Sequence, residues 1–270
     1  GSVAVRDDRI VAVGTTEELD AAVEAGKTLD ARERIVLPGL IDMHNHLRDL
    51  APGLSIGQGL KLDDYLRAGW EMQQHLTAED YHLGATLGAV RLLKAGVTTV
   101  VDHCYPFHLP GLEEAVLRAF GDTGIRGCLA RGIMTKPFEP ICETREEALN
   151  RIRRLVDDGK VPAERLFIAP VSFRQALPDD YREARKLADE LGVGTYTHIA
   201  ETTQEVEGII KEYGERPIHF LHELGFSGPG TVLVHCVLLD DSEIERLAET
   251  RTTVVHCPSN HMKLAKGITR

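Results

Sequence analysis

The sequence predicts an α/β protein built on a (β/α)8 TIM barrel that lacks strand 8, with a small β layer before it. Three observations support this fold class. Seven β-rich runs recur along the chain, helical segments separate them, and most of the runs are apolar throughout. Continuous apolar strands are typical of a parallel sheet buried on both faces. Seven such units are too many for a small doubly wound domain and suit a barrel.

The first 36 residues are predicted to form the small β layer, as part of a β-sandwich. Residues 3–14 (VAVRDDRIVAVG) have the pattern of a β-hairpin, with Asp7 and Asp8 near its turn. Residues 28–39 are expected to continue in short strands. The barrel domain is then expected to occupy residues 37–270.

The barrel units follow in order along the chain. Helical periodicity is clearest in residues 77–96, where Thr77 is suited to the start of a helix and Gly96 to its end. Further helices are predicted within residues 112–124, 144–159, 179–192 and 241–250. The predicted barrel strands lie within residues 39–47, 96–104, 124–132, 165–173, 192–201, 230–237 and 252–260.

Composition narrows the classes of partner. The chain has 270 residues, 43% of them hydrophobic, and a formal net charge of −11. An acidic balance disfavours nucleic acid and anionic membranes as partners. No apolar run approaches the roughly 18 residues of a membrane span, and we expect no signal peptide. Five cysteines, an odd number, favour a reducing cytoplasm over a disulfide framework.

Histidines mark the ends of several predicted strands. His44 and His46 stand two residues apart, so in a strand they face the same side and can bind one metal ion. His198, His235 and His256 each close another strand, at the end where barrel active sites are assembled. The pattern predicts a centre for Zn²⁺ or Fe²⁺. The histidines expected to lie on the surface or between helices are His75, His82, His219 and His222.

The residues next to the histidines are interpreted as follows, and the roles of His103 and Glu201 stay open. Only one residue of each His-Cys pair can face the barrel interior, and we interpret Cys236 and Cys257 as small apolar residues under the helices. His103 either lines the pocket beside Asp102 or is structural. Glu201 follows His198 by three residues and either takes a proton from bound water or is a solvated loop residue.

Four stretches carry a resemblance to a known family. LPGLIDMHNHL (37–47), THIAETTQEV (197–206), VLVHCV (232–237) and VVHCPSNHMKLAKGI (254–268) resemble the signatures of strands 1, 5, 6 and 7 of the amidohydrolase superfamily. The resemblance is to the branch that holds S-adenosylhomocysteine/methylthioadenosine deaminases, guanine deaminase and s-triazine hydrolases. It covers nearly the whole chain.

The resemblance implies a reaction and a set of roles. A metal-bound hydroxide would remove the exocyclic amino group of an N-heterocycle, such as a purine, pyrimidine, pterin or s-triazine. The protein would act as a homodimer. The implied metal ligands are His44, His46 and His198, on one ion. Glu201 would shuttle protons and His235 would orient or polarise the attacking water. The residues implied near the substrate are His256, Ser259, Asn260 and His103.

Departures from the family pattern leave alternatives open. The family's fourth protein ligand is an Asp at the end of strand 8, and the sequence stops at Arg270, so we expect the complete protein to continue. Val171 and Ser172 stand where adenosine-type deaminases often carry a substrate-contacting His, which leaves the ring undetermined. The end of strand 4 has no Lys to bridge two metals, which favours one. The alternatives are a hydrolytic dechlorinase and an inactive fragment that only binds metal and ligand.

Overall fold

The computed structural model describes residues 1–50 and 59–270. These residues divide into two compact units, Gly1–Pro38 and Gly39–Arg270. The first unit contains an antiparallel hairpin of β1 (Ser2–Arg6) and β2 (Arg9–Gly14), followed by α1 (Thr16–Ala22). The predicted hairpin is therefore confirmed.

The short strands predicted for residues 28–39 were wrong. Residues 28–39 form no strand, and their apolar side chains are exposed, among them Leu29 at 76% and Ile35 at 86%. A strand needs a partner for its N–H and C=O groups. Among the described residues, β1 and β2 pair with each other and form the whole of their sheet.

The second unit is a seven-stranded parallel sheet in which neighbouring strands follow chain order. All seven predicted strands are present, which confirms the barrel class. The strands are β3 (Leu40–Asn45), β4 (Val97–Cys104), β5 (Arg126–Ile133), β6 (Leu166–Pro170), β7 (Gly194–Ile199), β8 (Thr231–His235) and β9 (Thr253–Val255).

Helices connect the strands and cover the outside of the sheet. The α-helices described in this unit are α2 (Leu62–Gln73), α3 (Ala78–Lys94), α4 (Leu112–Thr123), α5 (Arg145–Asp157), α6 (Pro178–Leu191), α7 (Thr203–Tyr213), α8 (Pro217–Glu223), α9 (Asp241–Thr250) and α10 (Pro258–Lys263). Five of them, α3, α4, α5, α6 and α9, were predicted, and Thr77 caps α3 through reciprocal hydrogen bonds with Asp80.

The strand predicted within residues 252–260 is shorter in the structure. It ends at Val255, and Pro258 begins α10, because a proline at the first helical position lacks only an N–H that would have no helical partner. This also overturns the prediction for Cys257. Beyond the strand the alternation of side chains ends, and Cys257 packs against the barrel interior. Cys236 lies in the cluster under the helices, as predicted.

Two buried clusters explain the continuous apolar strands. Residues such as Val100, Leu129 and Ile168 face the helices, whereas their neighbours Val101 and Ala130 fill the barrel interior. Strands β4, β5 and β6 therefore bury both faces.

The sheet is open between its first and last strands. Within the described ranges, β3 pairs with β4 alone and β9 with β8 alone. Leu40 and Ile41 on β3 are 54% and 63% exposed. This agrees with the prediction of a barrel without strand 8. None of the described helices combines the length and the hydropathy needed to cross a membrane.

Candidate active site

Four histidine rings meet at the carboxyl ends of the barrel strands. His44 and His46 lie at the end of β3, with ring centroids 4.7 Å apart. His198 on β7 lies 4.9 Å from His44 and 5.4 Å from His46. His235 closes β8 and stacks on His198 at 5.3 Å. Strands 1, 5 and 6 of the barrel thus bring together residues far apart in the sequence.

Hydrogen bonds fix the tautomer of the three predicted ligands. Nδ1 of His46 lies 2.6 Å from the carbonyl oxygen of His103, and Nδ1 of His198 lies 2.8 Å from that of Val171. A carbonyl only accepts, so both Nδ1 atoms carry the proton. Nδ1 of His44 lies 3.0 Å from the hydroxyl of Tyr196, which itself donates to the Met43 carbonyl.

The Nε2 atoms are consequently free to bind a cation. Nε2 of His44 and Nε2 of His198 face each other at 3.3 Å. Burial, followed by the charges of neighbouring histidines, lowers the pKa of both rings well below the usual range, so both are neutral. Neutral imidazole with its other nitrogen bonded to a carbonyl or hydroxyl is the usual form of a metal ligand. The donor set fits a divalent ion such as zinc.

His235 reaches the site through an unusual backbone. Val232 and Val234 face the barrel interior, so regular alternation would turn His235 outward. The chain instead takes left-handed conformations at His235 (φ 79°) and Cys236 (φ 47°). These conformations are strained for residues with a Cβ, and they bring the His235 ring against His198.

His235 is bonded at both nitrogens, unlike the predicted ligands. Nε2 lies 3.0 Å from Oε1 of Glu201, a carboxylate that accepts, and Nδ1 lies 3.0 Å from Nε2 of His261. By proximity alone, ligand atoms of His44, His198 and His235 all lie within 4.8 Å of one another. The hydrogen bonds instead favour His44, His46 and His198 as the ligand set, because the Nε2–H of His235 is donated to Glu201.

Glu201 lies in the loop after β7, where its side chain is 8% exposed. Ala200 before it has a left-handed backbone, at φ 51°. Burial by itself would raise the pKa of Glu201, but the hydrogen bond and charge of His235, with the charge of Lys266, lower it below the usual range. The carboxylate is therefore ionised and able to accept a proton.

A cavity of about 1020 Å³ opens beside these residues. Its walls include His44, His46, His198, Glu201 and His235. The predicted substrate-contacting residues His256, Ser259 and Asn260 also line it, on and just before α10. Across the cavity, α2 contributes apolar side chains, which are Leu62, Tyr65, Leu66 and Trp70.

His103 is placed differently from the other predicted pocket residues. It is fully buried and stacks on His198, with ring centroids 4.5 Å apart. It does not line the described part of the cavity. Its carbonyl accepts from His46, so His103 supports two of the histidines rather than facing the cavity.

Sequence analysis missed several residues of this site. Tyr196 and His261 bond to His44 and His235, and Arg174 and Lys266 lie beside Glu201. Tyr196 could have been found, because it precedes His198 by two and so faces the same side of β7. The others reach the site from loops and from α10, for which strand alternation gives no signal.

The barrel carries its histidine cluster at the carboxyl ends of parallel strands, where barrel enzymes assemble their active sites. The chain belongs to the amidohydrolase family, whose model matches residues 35–270.

Three known proteins illustrate the similarity. The chain is similar to a 5-methylthioadenosine/S-adenosylhomocysteine deaminase of Symbiobacterium thermophilum, with 37% identity over 100% of this chain and 60% of the relative. A 5'-deoxyadenosine deaminase of Methanobrevibacter smithii is 33% identical over 99% of this chain and 60% of its own length. An adenosine deaminase from Xanthomonas campestris, solved with bound zinc, matches with a TM-score of 0.83 and 26% identity, over 99% of this chain and 60% of that one. The chain thus spans about 60% of the length of these relatives.

Proposed function

We propose that this chain carries the metal centre of an aminohydrolase that replaces the exocyclic amino group of an N-heterocycle with oxygen. The observation that carries the proposal is the pair of facing Nε2 atoms of His44 and His198, 3.3 Å apart, beside the bonded pair of Glu201 and His235. The names of the two sequence relatives, both deaminases, support it.

We propose one divalent ion, with zinc as the first candidate, held by Nε2 of His44, His46 and His198. The zinc in the similar adenosine deaminase supports this choice. An ion bound there supplies a Lewis acid that lowers the pKa of a water molecule to near neutrality. By resemblance to the family, an Asp at the end of strand 8 would complete the protein ligands.

Glu201 and His235 would divide the proton chemistry. The ionised carboxylate of Glu201 accepts one proton of the attacking water and gives it to a ring nitrogen. It then transfers the second proton of that oxygen to the amino group, which leaves as ammonia while the C=O bond forms. His235 donates its Nε2–H to Glu201 and thereby holds the carboxylate toward the histidine cluster. His103 and Tyr196 hold the rings of the ligand histidines in place.

The substrate class follows from the cavity and the relatives. A volume of about 1020 Å³ exceeds what a bare heterocycle fills, so there is room for a substituent. We propose purine nucleosides as first candidates, because both sequence relatives are named for adenosine derivatives. Val171 and Ser172 depart from the adenosine-type pattern, but the chain is nevertheless similar to these two deaminases over nearly its whole length. Ser259 and Asn260 on α10, and His256 just before it, would contact the substrate.

Release of ammonia is the direct test. Zinc-loaded protein would be mixed with adenosine, 5'-methylthioadenosine, guanine, a pterin and an amino-s-triazine, and ammonia would be measured. Chloro analogues of the same rings, with chloride measured, test the dechlorinase alternative. Ammonia from at least one purine supports the proposal. Metal uptake with neither ammonia nor chloride would favour the inactive fragment. A homodimer and a cytoplasmic location remain predictions.

A further inference from the structure

Two cationic side chains flank the carboxylate of Glu201. Nζ of Lys266 contacts Oε1 of Glu201 and donates to Oδ1 of Asn260 at 2.7 Å. Nη1 of Arg174 lies 3.7 Å from Oε2 of Glu201. Their side chains are 3% and 17% exposed, so water screens neither strongly. We call Lys266 and Arg174 the cationic clamp.

The end of α10 directs Lys266 back toward the strand ends. The helix stops at Lys263, and Ala265 takes a left-handed conformation with φ 49°. The N–H of Lys266 then donates to the carbonyl of His261 at 3.0 Å, which closes the helix in the manner of a Schellman turn. A glycine is usual at the left-handed position. The backbone of Ala265 is therefore strained, and the turn directs the side chain of Lys266 toward Glu201.

Arg174 joins Glu201 to the apolar wall of the cavity. It follows β6, and its guanidinium donates to Oγ1 of Thr202 at 2.6 Å. It also lies 3.5 Å from Oε2 of Glu205 and 3.4 Å from Oδ1 of Asp63, which is on α2. One side chain therefore connects the loop of Glu201, the start of α7 and the helix that carries Trp70.

Each oxygen of Glu201 consequently has a cationic or N–H partner. Oε1 faces Lys266 and His235, and Oε2 faces Arg174. Contacts on both oxygens reduce the number of orientations open to the side chain. A proton shuttle needs this restriction, since a displacement of about 1 Å can cost about 10²-fold in rate.

On these grounds we propose that Lys266 and Arg174 are positioning residues that hold Glu201 in the orientation needed for proton transfer. The inference rests on the proposed role of Glu201. If the cationic clamp acts through Glu201, its loss should lower kcat when Glu201 is present and should change kcat little once Glu201 is replaced. An ion pair that only stabilises the fold would lack this signature.

The first experiment is a kinetic double-mutant cycle in the full chain. Lys266→Met should lower kcat by about 10–10²-fold and change KM by less than about threefold, because orientation is lost rather than binding. In the Glu201→Gln background the same change should alter kcat by less than about twofold. Arg174→Gln provides an independent variant on the other oxygen. Lys186→Met, on the surface of α6 with its side chain 75% exposed, is the matched control.

The second experiment needs no turnover. Thermal unfolding of wild type, Glu201→Gln, Lys266→Met and the double variant measures the coupling between the two side chains. Glu201→Gln alone leaves the buried ammonium of Lys266 without its counter-charge and should lower the Tm by several degrees. Adding Lys266→Met should recover part of that loss.

The outcomes separate this inference from the proposed function. Equal losses of kcat from Lys266→Met in both backgrounds would overturn the clamp, as would wild-type kinetics in an active enzyme. If no heterocycle releases ammonia, the proposed function fails, and the unfolding cycle decides the clamp: additive changes in Tm would refute it. A loss of kcat confined to the Glu201 background, together with coupled Tm values, supports it.

Discussion

The Nε2 atoms of His44 and His198 face each other at 3.3 Å, although 153 residues lie between the two histidines in the chain. Each ring carries its proton on Nδ1, so both facing nitrogens present lone pairs. Two nitrogen ligands at about 2.0–2.1 Å from a tetrahedral zinc ion are roughly 3.3–3.4 Å apart. The separation is the one that a shared metal ion would set.

We therefore expect protein purified without chelator to contain about one equivalent of divalent transition metal, measured by elemental analysis. Replacing both His44 and His198 with alanine should reduce the content to below about a tenth of an equivalent. His219→Ala, which loses only a bond to Ser242 among the outer helices, should retain it. Metal-free wild type that takes up no zinc would contradict the assignment.

Glu201→Gln should keep the metal and lose turnover. The amide preserves size but cannot accept the proton of the attacking water, so turnover should fall by about 10²–10⁴-fold. Glu207→Gln, on the exposed face of α7, is the matched control and should behave as wild type. The measurements are ammonia release and metal content on the same preparations. Near-normal turnover of the Gln variant would make Glu201 an ordinary loop residue.

Strand alternation explains how much of this site the sequence predicts. His44 and His46 share a side of β3, and His198 ends a β-rich run, so their convergence follows from the barrel class. His235 is the exception. It points into the site because its backbone is left-handed, and regular alternation would have pointed it outward. The sequence could indicate His235 as a site residue, but it could not indicate the left-handed backbone that brings the ring into the site.

Residues outside the strands were the least predictable part. Lys266 depends on a left-handed alanine after α10, and Arg174 depends on a loop conformation after β6. Neither position belongs to a periodic pattern. The polar beginning of α2 and the proline at the start of α10 were signals for helices that periodicity alone had not identified. Long, periodic elements were therefore predicted well, and side chains positioned by turns were not.

Tyr196→Phe should weaken metal binding without removing a ligand. The hydroxyl of Tyr196 bonds to Nδ1 of His44 at 3.0 Å and fixes its tautomer and ring orientation. Loss of such a partner commonly costs about 10–100-fold in metal affinity. Zinc affinity measured by competition with a chromogenic chelator is the readout. Tyr213→Phe, on α7, is the control, and equal affinities for the two variants would refute the role of Tyr196.

Glu205 should make stability depend on pH in a specific window. Burial, opposed by Arg174 and reinforced by Glu201, raises the pKa of Glu205 from 4.5 to about 7. Because the folded state holds this proton more tightly than the unfolded state, its contribution to stability is present below pH 4.5 and is lost as pH rises toward 7. The slope is at most about 1.4 kcal/mol per pH unit.

Glu205→Gln should remove this contribution. The free energy of unfolding of the variant, minus that of wild type, should increase between pH 5 and pH 7, measured by urea denaturation at roughly half-unit steps. Glu207→Gln should show no such trend. A difference between Glu205→Gln and wild type that stays constant with pH would show that Glu205 is already ionised in the folded protein.

Arg131 should be a major determinant of barrel stability. It is fully buried on β5, where its guanidinium lies 2.8 Å from a carboxylate oxygen of Glu113 and also pairs with Glu143, and it packs on the ring of Phe107. Arg131→Met keeps roughly the same volume but leaves the two buried carboxylates with Arg151, which is 18% exposed, as their remaining cationic partner. Breaking a buried pair in this way costs about 3–5 kcal/mol.

A control variant and a rescue variant show whether this loss of stability comes from the buried charges. Arg118→Met breaks an ion pair with Glu79 whose side chains are 52% and 78% exposed, and should cost less than about 1 kcal/mol. Adding Glu113→Gln and Glu143→Gln to Arg131→Met removes the two buried carboxylate charges and should restore part of the stability, because neutral amides cost less to bury. Urea unfolding of the four proteins measures both effects. If the triple variant is no more stable than Arg131→Met, the loss comes from packing against Phe107 rather than from charge.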